Sequence, residues 1–241
     1  MRSVPSAERR RPLLALLVLL TAVAPRAAET APPESRPPTS IDAATLDRLV
    51  RPESRDETIV ALVEAADVHA LPVLQALLEG NLYVGQTVLV DREGTLQDAL
   101  TGAPAQVDRD QLEQVTINNR LRRTLERAVA ALRLFSPSSS ERLAAARVLQ
   151  EDPAPEVLPA VEKAVALEKD AKVKEALRAT AAILALNSPD PARRQAAVGE
   201  LHGARGKRLL VQRLETEQDP AVRTALQEAV RSVDLAQQRA A

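Results

Sequence analysis

Apolar positions recur with a helical period through most of this chain. In the stretch SRDETIVALVEAA, Ile59, Leu62, Val63 and Ala66 fall on one stripe, as in an amphipathic helix. The stretch HALPVLQALLEG predicts a second helix that ends at Gly80. The stretch NNRLRRTLERAVAALRLF predicts a further amphipathic helix, and no later segment has the pattern of a strand.

Short polar residues mark the predicted helix starts. Ser54 with Glu57, and Ser138 with Glu141, have the spacing of a capping box. In that motif each side chain accepts a hydrogen bond from the backbone N–H of the other residue. We therefore expect both pairs to cap helices.

One eight-residue pattern occurs three times. It begins at Asn118 (NNRLRRTL), at Asp170 (DAKVKEAL) and at Asp219 (DPAVRTAL), with a helix-capping residue first and Leu or Val at the fourth and eighth places. The pair Ser136-Pro137 likewise matches Ser188-Pro189, 52 residues later. Such repetition is typical of stacked helical repeats, in which each unit buries its apolar faces against its neighbours.

The fold predicted from this repetition is all-α, a HEAT-like or armadillo-type solenoid. An aspartate precedes a proline at Asp190 and Asp219, which places the proline at the first helical position, where its missing N–H has no cost. We expect three units of about three helices each, near residues 54–135, 136–187 and 188–236.

The stretch EGNLYVGQTVLVDREGTLQDALTGAP interrupts the helical pattern inside the first unit. It contains four of the seven glycines of the chain and its only tyrosine. Leu82, Val84, Val88 and Val90 favour a strand, and the residues from Asp91 to Gly94 favour a turn with Gly94 at positive φ. We predict a small β-hairpin within an insertion over residues 81–117, and we expect it to lie against the helices, since two strands alone are marginally stable.

The amino-terminal residues have the pattern of a secretory signal peptide. Three arginines at 9–11 precede an apolar run over residues 13–24, which is followed by small residues. Residues 1–28 are therefore predicted to be a signal peptide, with a retained membrane anchor as the alternative. Either interpretation predicts an extracytoplasmic, periplasmic location. The Pro-rich residues 29–40 predict a disordered linker, residues 41–236 the helical domain, and residues 237–241 a tail.

Composition excludes several classes of site. Without residues 1–28 the chain has 27 basic and 32 acidic residues, which gives no electrostatic basis for binding nucleic acid. The absence of cysteine excludes disulfides, thiolate catalysis and Cys-based zinc sites. His69 and His202 have no second ligand at metal-site spacing, so we expect no metal, no cofactor and no enzymatic activity.

Four segments resemble one known family. GNLY at 80–83, DALTGAP at 98–104, NNRLRR at 118–123 and LFSPSSSERLAAA at 134–146 are similar to the amino-terminal periplasmic region of the urea ABC transporter permease, of the branched-chain amino-acid permease type. The likeness runs from about residue 42 to about residue 236. It implies a HEAT-like periplasmic region whose partners are a urea-binding protein, permease subunits and ATPase subunits.

The sequence departs from that family after the repeats. The family continues into several membrane helices, whereas no segment after residue 28 has the pattern of a membrane span. We expect a fragment or split form without the permease helices. The alternative is a stand-alone periplasmic scaffold that binds an unrelated protein, and an enzyme on a helical-repeat fold is a third hypothesis that requires a pocket with converging polar groups.

The candidate partner-contact residues lie in the insertion and in the helix that follows it. They are Asn81, Tyr83, Arg120, Arg122, Arg123 and Arg127. The arginines would form a docking patch for an acidic partner or lipid head groups, or else a solvated face paired with Glu126, Asp108 or Asp110. Tyr83 would either pack between hairpin and helix or form an exposed contact.

Overall fold

The computed structural model describes residues 41–240, and the signal-peptide and linker predictions lie outside the described residues. The described chain is mostly helical and carries one small antiparallel sheet, as the sequence predicts in outline. Its ten α-helices are α1 (Ala43–Val50), α2 (Pro52–Ala65), α3 (Leu71–Glu79), α4 (Asn119–Arg133), α5 (Ser139–Glu151), α6 (Leu158–Leu167), α7 (Ala171–Ala185), α8 (Pro191–Val198), α9 (Gly203–Thr216) and α10 (Pro220–Ala240).

Acidic or amide side chains cap four of these helices at the positions that the sequence predicts. Asn118 accepts a hydrogen bond from the backbone N–H of Leu121 at 2.9 Å. Asp170, Asp190 and Asp219 each accept from the backbone two residues onward, also at 2.9 Å. These bonds satisfy backbone N–H groups that have no partner within the helix.

The capping box predicted at Ser54 and Glu57 is not formed. Helix α2 begins at Pro52, so Ser54 already lies inside its first turn. The Ser54 hydroxyl donates to the backbone oxygen of Arg48 at 2.8 Å instead. Proline at the first helical position fixes φ in the helical range, and this sets the start of α2 without a side-chain cap.

The second predicted capping box, at Ser138 and Glu141, is not formed either. Ser138 precedes α5, but its side chain makes no hydrogen bond to the helix backbone. Ser136 takes over part of this role, since its hydroxyl donates to Glu141 Oε2 at 2.6 Å and accepts from Ser138 N–H at 3.1 Å. Ser136, two residues before Ser138, therefore makes the side-chain hydrogen bonds at the start of α5.

The insertion forms a four-stranded antiparallel sheet, larger than the predicted hairpin. Its strands are β1 (Leu82–Val84), β2 (Val88–Arg92), β3 (Thr95–Asp98) and β4 (Glu113–Gln114), in the order β3-β2-β1-β4. The residues predicted as one strand divide at Gly85, where a tight turn pairs Gly85 N–H with Thr87 O at 3.0 Å. Pairing of β4 with β1 extends the sheet beyond the two strands that would be marginal alone.

The turn predicted at Asp91 to Gly94 is confirmed. Arg92 pairs with Thr95 across a two-residue loop, in which φ is 53° at Glu93 and 89° at Gly94. Asp91 Oδ1 accepts from Gly94 N–H at 2.9 Å. Positive φ at both loop residues matches the right-handed twist of the strands.

One face of the sheet belongs to the main apolar core. Leu82, Val90 and Val115 are buried there with side chains of α1 to α7. The predicted contact between the insertion and the helices is therefore confirmed, and the sheet contributes to the stability of the helical part.

The helices pack mainly on their neighbours along the chain. Contacts join α1 to α2, α3 to α4, α4 to α5, α6 to α7 and α9 to α10. Contacts also join α5 to α7, α7 to α8 and α8 to α10. A second, smaller apolar cluster contains side chains from the end of α7 and from α8 to α10.

A buried ion pair connects α5 to the start of α7. Arg142 donates through Nε and Nη2 to the two carboxylate oxygens of Glu168 at 2.7 and 2.9 Å. Its Nη1 donates to the backbone oxygens of Ser136 and Pro137. Glu168 also accepts from the backbone N–H of Asp170, and the Arg142 guanidinium is the main cause that lowers the pKa of Glu168 to about 2.

The same network occurs again between α8 and α10. Arg194 donates through Nε and Nη2 to Glu217 at 2.8 and 2.9 Å and through Nη1 to the backbone oxygens of Ser188 and Pro189. Glu217 accepts from Asp219 N–H, and Arg194 is the main cause that lowers its pKa to about 2. The bidentate geometry is that of strong guanidinium–carboxylate pairs.

A related arginine in α2 has no carboxylate in this place. Arg55 is buried and donates to the backbone oxygens of Leu49, at 2.7 Å, and of Val50. Its Nη1 donates to the backbone oxygen of Thr116 at 3.4 Å, and burial lowers the pKa of Arg55. Thr116 lies two residues before the helix cap Asn118, just as Glu168 lies two residues before the cap Asp170. The chain that returns from the insertion therefore contacts the Arg55 guanidinium at the position where the later network has its glutamate.

The carboxyl-terminal prediction needs a correction. Residues 237–240, predicted as a tail, continue helix α10, and Ala241 lies outside the described residues. Within residues 41–240, no helix has both the length and the apolar character required to cross a bilayer.

Candidate functional site

The sheet has an outer face that the helical core does not cover. Tyr83 is half-buried on β1, paired with Leu89 on one side and Gln114 on the other. The guanidinium of Arg109 lies over its ring, 5.9 Å from the centre. Tyr83 thus packs against Arg109, and the prediction that it lies between hairpin and helix is wrong.

Arg109 links the loop that follows β3 to the sheet. It donates to Asp91 Oδ2 at 2.6 Å and to the backbone oxygen of Gly94 at 3.2 Å. This bond to Asp91 is the main cause that raises the pKa of Arg109. Arg109 was not predicted from the sequence, because its pairing becomes visible only when residues 99–112 fold back over β1 to β3.

A tight turn directs this loop back toward the sheet. Asp98 Oδ1 accepts from the backbone N–H groups of Leu100 and Thr101 at 3.1 and 2.9 Å, and from the Thr101 hydroxyl. The backbone N–H of Thr101 is the main cause that lowers the pKa of Asp98. Gly102 completes the turn with φ of +69°, a backbone conformation that favours glycine.

An open cleft of about 980 Å³ lies between the loop and the outer face of the sheet. Its walls are residues 84–87 and 89 of the first two strands, Asp98, and residues 103–108 and 111–113 of the loop. Gly85 allows a close approach here, because a Cβ at this position would lie 2.7 Å from Leu112 Cδ2 and would displace that side chain. The side chain of Leu112 thereby occupies the space beside the β1–β2 turn.

The cleft is acidic. Asp98, Asp108 and Glu113 line it, and none of the described residues in its walls is Lys or Arg. Within residues 81–117 the chain carries six carboxylates and two arginines. Of these two arginines only Arg109 lies in the loop, and it is paired with Asp91. The cleft therefore attracts positively charged groups.

Asn81 is partly exposed, and it also has a structural role. Its backbone N–H donates to Ala76 O at 2.7 Å and closes the end of α3, where Gly80 has φ of +78° as the sequence predicts. Its carbonyl oxygen accepts from Asp91 N–H at 2.8 Å, and its side chain donates to Glu79. Asn81 thus connects the helix to the sheet.

The four predicted arginines of α4 differ in their contacts. Arg120 is exposed and lies 3.6 Å from Asp56 on α2, while Arg127 is half-buried between Asp152 and Glu156 at 3.2 and 3.4 Å. These partners replace the predicted Glu126, Asp108 and Asp110.

The remaining two arginines have different surroundings. Arg122 donates to the backbone oxygen of Leu78 on α3 at 3.2 Å, toward the other side of the helix. Arg123 is exposed. Arg122 thus faces α3, whereas the spacing of Arg120, Arg123 and Arg127 places them on one face of α4. Of the four arginines only Arg127 is half-buried, and the other three keep the character of a contact surface.

A groove of about 570 Å³ lies between α3, α4 and α5. Apolar side chains dominate its walls, with Glu126, Arg133 and Glu141 at the edges. No cluster of three His, Asp or Glu side chains within residues 41–240 has metal-site geometry. The acidic cleft of the sheet is the better candidate site, because it combines volume with charge of one sign.

Comparison of the chain with known protein families, with curated proteins and with solved structures gave no match.

Proposed function

We propose that this protein is a non-enzymatic, extracytoplasmic interaction domain built as a HEAT-like helical solenoid, accessory to a urea ABC transporter. The observation that supports a solenoid of repeated units is the recurrence of one buried network, in the pairs Arg142–Glu168 and Arg194–Glu217. The arginines are 52 residues apart and the glutamates 49. Equal contacts at near-equal spacing are the expected result of repeated units.

The arginine part of this arrangement occurs a third time and supports the proposed first unit. Arg55, Arg142 and Arg194 each occupy the fourth position of a helix, α2, α5 or α8. Each donates to backbone oxygens five and six residues upstream. In the proposed units, α2 to α4, α5 to α7 and α8 to α10 are equivalent triplets.

The interaction role rests on the inserted sheet. A solenoid supplies a rigid support, and an insertion between its helices is a position where such proteins carry recognition surfaces. Here the insertion adds an acidic cleft, and the start of α4 carries exposed arginines. A protein partner with complementary charge is the proposed ligand of this surface.

The link to urea transport rests on the resemblance of the four sequence segments. Their residues build the end of α3 and strand β1, the turn after β3, the start of α4 and the α4–α5 connection. The proposed partners are the permease and the urea-binding subunit, and the predicted signal peptide places the domain in the periplasm.

Co-purification from the native cells tests this proposal. After mild cross-linking, the tagged protein should recover the urea-binding and permease subunits, and recovery should rise when urea is the nitrogen source. Capture of unrelated periplasmic proteins would favour the alternative, a stand-alone helical-repeat scaffold. Recovery of neither class would contradict an interaction role.

A further inference from the structure

The acidic cleft has the features of a peptide-docking site. Its three carboxylates, Asp98, Asp108 and Glu113, surround apolar side chains that include Leu89 and Leu112. Val107, also in the wall, is 42% exposed. Apolar contacts combined with charge of one sign suit a segment in which basic and apolar side chains alternate.

A sheet edge lies beside the cleft. Strand β4 is the last strand in the order, and it pairs with β1 on one side only among the described residues. Glu113 belongs to this strand and also lines the cleft. An unpaired strand edge offers backbone N–H and C=O groups to a further extended segment.

We propose that this cleft binds an extended segment of a protein partner that carries lysine or arginine at alternate positions. The segment lies along β4, its basic side chains face Asp108 and Glu113, and its apolar side chains contact Val107 and Leu112. This inference rests on the proposed interaction function and assigns the partner chemistry. Nucleic acid and anionic lipid surfaces are disfavoured, because the cleft would repel phosphate groups.

Fluorescence anisotropy with labelled eight-residue peptides tests the proposal. One peptide alternates lysine with valine or threonine, and a second carries glutamate in place of every lysine. The lysine peptide should bind the purified protein about tenfold more tightly, and the difference should shrink at high salt. Equal affinity for the two peptides would overturn the proposal.

Two pairs of substitutions separate the cleft from the general acidity of the protein. Asp108→Asn with Glu113→Gln should weaken binding of the lysine peptide about fivefold, and the amide introduced at position 108 retains an oxygen that can accept from Asp110 N–H, as Asp108 does. Glu175→Gln with Glu228→Gln removes the same charge from exposed sites on α7 and α10 and should leave binding unchanged. Equal losses in both variants would show unspecific attraction and reject the site.

A third peptide tests the strand pairing. It has the lysine sequence with N-methyl groups on alternate residues, which removes the N–H donors along one edge. Affinity should fall about tenfold if the backbone pairs with β4, and an unchanged affinity would reject the extended mode. Co-purification of transporter subunits with no peptide binding would reject this cleft alone, whereas peptide binding with no co-purification would reject the transporter role alone.

Discussion

At the scale of single residues, the asparagine and aspartate caps were the most predictable feature. Asn118, Asp170 and Asp219 cap helices because a short side chain with an oxygen acceptor fits the geometry before the first turn. Glu168 and Glu217 were not predicted to be buried, because a glutamate two residues before a cap has the local pattern of a solvated loop charge. Their partners lie 26 and 23 residues away.

These two glutamates make the stability of the fold sensitive to acid. Their pKa is about 2 in the folded protein and about 4.3 in an unfolded chain. The unfolded state therefore binds more protons in this range, and the contributed stability, complete above the unfolded pKa, is lost as the pH falls toward 2. The midpoint of urea unfolding should decrease from pH 5 to pH 3.

A double variant tests whether these two glutamates cause the pH dependence of stability. Glu168→Gln with Glu217→Gln should be less stable than the wild type at pH 7 and should show a smaller decrease between pH 5 and pH 3. The pair Glu175→Gln and Glu228→Gln, both on exposed positions, is the control and should retain the wild-type slope. An unchanged slope in the first variant would contradict the assignment.

At the scale of elements, the insertion was predictable in position and in its central turn. The residues Glu93 and Gly94 form the loop because glycine tolerates positive φ. Strand β4 was missed, since two polar residues, Glu113 and Gln114, carry no alternating apolar pattern. The acidic cleft was missed for a different reason, because it exists only once residues 99–112 lie over the sheet.

The return of the chain onto Arg55 leads to a prediction for Thr116. Glutamate occupies the matching position in the two complete networks, whereas the hydrogen bonds of the Arg55 guanidinium go to backbone oxygens. Thr116→Glu should therefore raise the free energy of unfolding by about 1 kcal/mol, through a new ion pair with a buried guanidinium.

The control for this substitution is Thr116→Gln, which has the same length without the charge. Urea unfolding at pH 7 measures both variants. The gain should appear only for glutamate and should disappear at pH 3, where the carboxylate is partly protonated. Equal stability of the glutamate and glutamine variants would show that residue 116 is not equivalent to Glu168 and Glu217.

At the scale of the whole molecule, the two apolar clusters differ in extent. The main cluster joins side chains from α1 to α7 and from the sheet, whereas the second contains only the end of α7 and α8 to α10. In a proposed array of repeats, stability is close to a sum of local terms, so the smaller cluster opens more easily. Sequence repetition could predict the helices but not this difference, which depends on the sheet adding apolar area to one end.

Hydrogen exchange followed by mass spectrometry tests this difference. Amides of α8 to α10 should exchange faster than those of α4 and α7. Leu226→Ala, in the smaller cluster, should destabilise by about 2–5 kcal/mol and accelerate exchange in α8 to α10 while α4 stays protected. Leu125→Ala should instead accelerate exchange throughout. Uniform acceleration by both variants would indicate one cooperative unit.

The two ends of the insertion lie side by side. Gln114 Nε2 donates to the backbone oxygen of Gly80 at 2.6 Å, so the chain leaves α3 and returns toward α4 at nearly the same place. The insertion is therefore attached to the helices at one fixed junction, and the length of the loop over residues 99–112 does not affect it. The exposed turn of this loop over residues 100–102 can carry a fluorescent tag or a grafted epitope, because added sequence there would not change the path of any helix.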